Sequence, residues 1–316
     1  SASSTEIEYT FITSPLNPDC IDPHLGENMY RITRPWDGTI ERIRGALGPL
    51  EPYLKPYAES FFSNFSSQMS HKVPTDEDFF SGLDIDIVHF VVQEYIRTDK
   101  PTLFNPHDLQ HLYYPEFFSE YQLARKGEIY PTGCREADIV DTPSRATKND
   151  VVEHYDVDPD KVQPVPLGPP VGIYNDVTDS KLTEVKVRYD LPSSFIFYPS
   201  KTWPHKNHLK LVKAIKYIED TFGEEICLVC TGRRTDHWKK VENEIRELSL
   251  TDRVLFLGYV DVDDLRALYK LSRCVVLPSL FEGGGFPLLE AWEFETPVVC
   301  SNVTSLPEKG GDAATY

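Results

Sequence analysis

The chain has 316 residues, a pI near 4.9 and a net charge of −18, with 40% hydrophobic and 26% charged residues. That length and apolar content suit about two domains of ~150 residues with sizeable cores. Such acidity excludes a nucleic-acid partner and broad attraction to anionic lipid, and leaves room only for a local, peripheral membrane contact.

No run approaches the ~18 apolar residues of a transmembrane segment, and the opening Ser-Ala-Ser-Ser-Thr has no signal-peptide pattern. In chain order, EYTFIT (8–13), IDIVHFVV (85–92), PTLFN (101–105) and ADIVDT (137–142) read as strands. Asp84-Ile85-Asp86 opens the second of these, so the pair reads as structural and no metal site is expected. Ser144 is a good N-cap for a helix that follows it. The segment KVQPVPLGPP, 161–170, holds four prolines. It suits neither a helix nor a central strand, and marks an interdomain hinge.

The second half alternates more regularly. FIFYPS (195–200), ICLVCTG (226–232), RVLFLGYV (253–260), CVVLPS (274–279) and PVVCSN (297–302) are separated by helical patterns. The first helix carries Leu211, Ile215, Ile218 and Phe222 on one face, and the second Trp238, Val241, Ile245 and Leu248. A third pattern holds Leu265, Leu268 and Tyr269, and a fourth helix begins at Pro287. This is an α/β, doubly wound arrangement whose ligand belongs at the carboxyl ends of parallel strands. No G-x-G-x-x-G follows a strand, which weakens a nicotinamide reading. Cys227 and Cys230 form a C-x-x-C inside an apolar strand rather than at a helix start, so they read as buried thiols. The scattered, reduced cysteines point to the cytoplasm.

The densest chemistry lies in FEGGGFPLLEAWEFETPVVCSN, 281–302. Glycines that admit close approach, followed by a helix start with unpaired N–H groups, form a cradle for a diphosphate. Glu282 and Glu290 flank it and would repel phosphate, so they suit hydroxyls of sugar and ribose at its two ends. The acidic group Glu293, Glu295 and Glu308 reads as a solvated face. Lys201 and Lys206 follow a strand, where two cations would offset the charge of a departing nucleoside diphosphate.

The glycine segment resembles the E-x7-E signature of the retaining family 4 glycosyltransferases, and SKTWPHKNH and NPHDLQHLYY resemble two further segments of that family. The resemblance implies a GT-B fold, two Rossmann-like domains facing across a cleft: an acceptor-side domain at 1–170 and a donor-binding domain at 171–316. It implies that Glu282 faces the donor sugar, Gly284, Gly285 and Phe286 hold the diphosphate with Lys201 and Lys206, and Glu290 binds the ribose. His107 would reach the sugar as a polar contact, and Gly258 and Val260 would meet the base through their backbones. Ser144 corresponds to a family position that capping explains equally well, whereas His111 receives no role.

Two features depart from the family pattern. Glu295 stands where glycine is usual, and set against the family pattern the sequence is expected to start after the family's first strand and helix and to stop before its terminal crossing helices. The expected activity is a retaining, metal-independent transfer of a hexose from a UDP- or GDP-sugar to a hydroxyl acceptor, with no other cofactor. The alternatives are a sugar-nucleotide epimerase of similar fold and a nucleotide-sugar-binding protein without turnover.

Overall fold

A computed structural model describes residues 8–13, 29–33, 72–76, 79–166, 168 and 177–316. Strands β1 (Tyr9–Thr13) and β2 (Met29–Thr33) pair in parallel, and β2 was not among the expected elements. A four-stranded parallel sheet follows in the order β3 (Val88–Phe90), β4 (Thr102–Phe104), β5 (Ile139–Thr142) and β6 (Val162–Pro164). Strand β3 is shorter than its apolar run. Val91 and Val92 leave the sheet and stand 55% and 61% exposed, and Asp84 and Asp86 precede it in solvent. The proline-rich segment is not wholly a connector: its first residues form β6 at the sheet edge, where a proline costs no ladder bond. Residues 167 and 169–176 of that region lie outside the described set.

Helices α1 (Gln110–Tyr113), α2 (Glu120–Glu136) and α3 (Arg145–Tyr155) belong to this half. A capping box starts α2: Gln122 N–H donates to Ser119 Oγ at 3.3 Å, and Ser119 N–H to Gln122 Oε1 at 2.9 Å. Ser144 caps α3 as expected, accepting from Thr147 N–H at 3.1 Å. Tyr130 of α2 and Val151 of α3 are buried in one cluster with Phe104, Val140 and Val162 of the sheet.

The second sheet has the order β11-β10-β7-β8-β9, all parallel. Its strands are β7 (Ile196–Pro199), β8 (Leu228–Thr231), β9 (Val254–Phe256), β10 (Cys274–Leu277) and β11 (Val298–Cys300). The chain winds outward from β7 through β8 to β9, then returns to β10 and β11 on the other side. The switch point therefore lies between β7 and β10, where a crevice opens at the carboxyl ends.

Around the sheet lie α4 (Asp179–Arg188), α5 (His208–Phe222), α6 (Trp238–Glu247), α7 (Val262–Leu271), α8 (Phe286–Glu293) and α9 (Ser305–Gly310). The apolar stripes of α6 and α7 bury Val241, Ile245, Leu268 and Tyr269. On α5 the stripe stops short: Leu211, Val212 and Ile215 are buried, but Phe222 at the last turn is 67% exposed. Cys230 is buried in β8, and neither it nor Cys227 forms a disulfide.

The two halves meet along a seam. Phe281, just after β10, packs on Tyr113 at 5.4 Å and Tyr114 at 6.4 Å between ring centres. The Glu308 carboxylate, on α9, accepts from Arg145 N–H at 2.8 Å and Ala146 N–H at 3.2 Å at the start of α3. Glu308 is exposed as expected, but its carboxylate is engaged rather than merely solvated. Unpaired amides and the partial positive charge of a helix start draw the carboxylate across the seam. Glu293 and Glu295 are exposed.

Candidate functional site

The loop between β10 and α8 has the backbone of an anion cradle. Gly285 caps α8 with φ +61° and offers no side chain to its amides, and Pro287 occupies the first turn. Gly284, Gly285 and Phe286 therefore present backbone at the crevice floor beside β7. Glu282 is fixed before them. Its amide donates to Thr304 Oγ1 at 3.0 Å, and its carbonyl accepts from Thr304 Oγ1 and Ser305 Oγ, each at 2.8 Å.

The Glu282 carboxylate uses one oxygen for its protein partners. Oε1 accepts from Ser279 Oγ at 2.7 Å and from Lys206 Nζ at 2.5 Å. The expectation that Lys206 serves phosphate while Glu282 serves sugar must therefore include this direct ion pair. Loops after β7 and β10 are joined besides: Asn207 Nδ2 donates to the Pro278 carbonyl at 2.9 Å, and Leu280 N–H to the His205 carbonyl at 2.7 Å.

Lys201 is exposed at the end of β7. Its backbone is pressed by the turn after β8, where a Cβ on Gly232 (φ +108°) would stand 2.9 Å from Lys201 N. Burial holds His205 at a pKa of about 4 and His208 at about 3. Both are neutral at pH 7, so the positive charge of this loop comes from Lys201 and Lys206.

Glu290 lies past the first turn of α8, at its fifth residue, and its Oε2 accepts from Tyr269 O–H at 2.5 Å. Tyr269 is buried against Phe197, 5.2 Å between ring centres, so this carboxylate is oriented by the core. Gly258 (φ +77°) accepts from Gly232 N–H at 2.7 Å, which commits one lone pair of its carbonyl. The Val260 side chain is buried in the core, as fits a backbone role alone.

His107 reaches the same place from the other half. Its backbone is left-handed, with φ +61°, and its amide donates to Asn105 Oδ1 at 2.7 Å. His107 Nε2 donates to the Val91 carbonyl at 2.6 Å, which leaves Nδ1 as the other polar ring atom. The approach to the glycine loop is close: a Cβ on Gly283 would lie 2.6 Å from the His107 carbonyl oxygen. His107 and residues 282–286 are thus brought together across the seam.

Other candidates lie elsewhere. Ser144 is fully buried and its hydroxyl is engaged in capping α3. His111 is a core residue, 4.8 Å from the Tyr130 ring, and burial lowers its pKa to about 4. Sequence reasoning missed the supports, Ser279, Thr304 and Tyr269. Ser279 stands three residues before Glu282 and was within reach of a local reading, whereas the Tyr269–Glu290 contact spans two elements.

Residues 183–315 match the family described as glycosyl transferases group 1. The O-antigen chain mannosyltransferase RfbU of Salmonella typhimurium is 29% identical over 210 residues, 66% of this chain and 54% of that protein. O-antigen chain mannosyltransferase B of Escherichia coli is 29% identical over 212 residues, again 66% and 54%. The chain thus spans about half the length of these curated relatives. Among solved structures, the Anabaena protein Alr3699/HepE in complex with UDP and glucose superposes with a TM-score of 0.63 at 16% identity. That match covers 96% of this chain and 83% of the other, and carries the GT-B fold. The family match and the paired parallel sheets agree: residues 183–315 are similar to the glycosyl transferases group 1 family, and the whole chain has the fold of its structural neighbours.

Proposed function

We propose that the chain transfers a hexose from a nucleoside-diphosphate sugar to a hydroxyl acceptor, with retention at the anomeric carbon. The observation that carries this reading is the glycine-capped start of α8, with no side chain bonded to its amides, flanked by Glu282 and Glu290 and lying beside the Lys201–Lys206 loop. The diphosphate would sit on the amides of 284–286, with its charge offset by Lys201 and Lys206 rather than by a metal ion. Glu290 would accept from the ribose, held in place by Tyr269. Glu282 Oε2 and His107 would meet the sugar from opposite sides, and Gly258 and Val260 would border the base.

In the reaction the bond between the anomeric carbon and the phosphate oxygen breaks as the acceptor oxygen bonds to the same face of that carbon. The acceptor proton passes to the departing phosphate oxygen, so no enzyme nucleophile is required. Lys201, Lys206 and the helix amides stabilise the charge that develops on the leaving group. The mannosyltransferase relatives favour transfer over epimerisation and make mannosyl donors the first to try. Free cysteines are in keeping with a cytoplasmic placement.

Calorimetry with UDP and GDP, each with and without a chelator, tests the reading. One of them should bind with affinity unchanged within tenfold, about 1.4 kcal/mol, on chelation. Glu290→Ala should weaken that binding by about 1–3 kcal/mol, and Tyr269→Phe by about 1 kcal/mol. Glu282→Ala should spare it while lowering transfer. Equal losses of nucleotide affinity at Glu282 and Glu290 would refute the division of labour.

A further inference from the structure

A concavity of about 200 Å³ opens at the carboxyl end of β3, lined by Gln93, Glu94, Gln122, Arg125, Lys126 and Tyr130. Its wall is continuous with the proposed site, since His107 Nε2 donates to the carbonyl of Val91, two residues before Gln93. The other wall is the first half of α2, whose start faces the same rim of the parallel sheet.

The charges in this concavity do not cancel. Arg125 pairs with Glu94. Lys126 Nζ donates to Gln93 Oε1 at 3.1 Å and Tyr130 Oη at 2.5 Å, both neutral groups. It lies 4.4 Å from the Tyr130 ring centre and 5.6 Å from that of Phe118. Among the described residues no carboxylate is within ion-pair distance of it. An ammonium has three donors, so one remains unused here. Burial depresses its basicity, and the more distant Asp108 only partly restores it. A half-buried cation whose nearest carboxylates, Asp108 and Glu94, lie beyond ion-pair distance is only partly compensated, and an arriving anion would relieve that cost.

We infer that this concavity binds an anionic group of the acceptor, with Lys126 as its counter-charge and Gln93 and Gln122 bonding adjacent hydroxyls. The word acceptor rests on the function proposed above; the preference for an anion rests on the concavity alone. A phosphate ester and a sugar carboxylate share the required chemistry.

Ligand-observed NMR titrations of the full chain, saturated with UDP or GDP to block the diphosphate cradle, distinguish the two. Mannose 6-phosphate, glucuronate and mannose serve as probes. At least one of the anions should bind tenfold or more tightly than mannose, and which one does so names the group. Lys126→Met should remove that advantage with nucleotide affinity unchanged. Glu94→Gln, which releases Arg125 from its partner, should raise anion affinity several-fold, and it carries the test alone should Lys126→Met fail to fold. Binding of mannose as tight as both anions, no binding of any probe, an advantage that survives Lys126→Met, or no gain in Glu94→Gln would overturn the inference. Failure of UDP and GDP to bind in the same titrations would count against the proposed function and not against the anion preference, which the probes then report directly.

Discussion

Among the described residues burial lowers the pKa of four histidines, His111, His205, His208 and His237, the first three most strongly. His111 and His208 are buried and His205 half-buried, and burial lowers their pKa values to about 4, 3 and 4 respectively. In the unfolded chain each would protonate near pH 6.5. Between that pH and about 4 the unfolded state binds more protons, so stability is full above 6.5 and is lost as pH falls. The loss can reach roughly 1.4 kcal/mol per pH unit for each histidine within its window. Urea midpoints should therefore drop between pH 7 and pH 5. His111→Phe, which keeps an aromatic ring beside Tyr130, should shallow that dependence. An unchanged slope in the variant would show that His111 titrates normally in the fold.

At the scale of single elements, the end of α8 is informative. Thr296 N–H donates to the Ala291 carbonyl at 2.9 Å, and Glu295 N–H to the Trp292 carbonyl at 3.0 Å. This is a Schellman ending, and it places Glu295 at φ +55° where glycine is the ordinary choice. The departure noted in the sequence changes the residue but not the turn. Glu295→Gly should raise stability by about 0.5–1 kcal/mol, measurable by thermal unfolding, with nucleotide affinity unchanged.

The same contrast between local and distant explains how much could be read beforehand. Runs such as CVVL and LVCT announce β10 and β8, because strands covered on both faces need continuous apolar sequence. The glycine loop and its two glutamates were legible because the cradle is one contiguous segment. Strand β2 was missed: MYRIT places arginine and threonine among its apolar residues, and only pairing with β1 defines it. Phe222 sat on the right stripe, yet α5 outruns the core it packs on.

For the whole molecule, the contact that sequence reading least anticipated is the one that ties the halves together. Glu308 and Arg145 are 163 positions apart, so no pattern in the chain signals their bond. Glu308→Ala should leave UDP or GDP affinity intact, since the cradle lies within the second half. It should speed hydrogen exchange at the Arg145 and Ala146 amides and lower transfer, because the His107 loop then loses one of its ties to the second half and keeps the aromatic packing and the Tyr114 O–H bond to the Leu280 carbonyl. Unchanged exchange at those amides would show that the carboxylate does not cap α3 in solution.

Gly283 sets the clearance of this arrangement. The space its missing methyl group would fill is already taken by the His107 carbonyl oxygen and the Asp108 Cβ, at 2.6 and 2.9 Å. The gap between the halves is thus gauged by one hydrogen atom's width of backbone. Any larger residue there would act as a shim, forcing the His107 loop away from residues 282–286 while leaving each half internally sound. The spacing of the two loops is therefore governed at a point that carries no charge, no hydroxyl and no side chain.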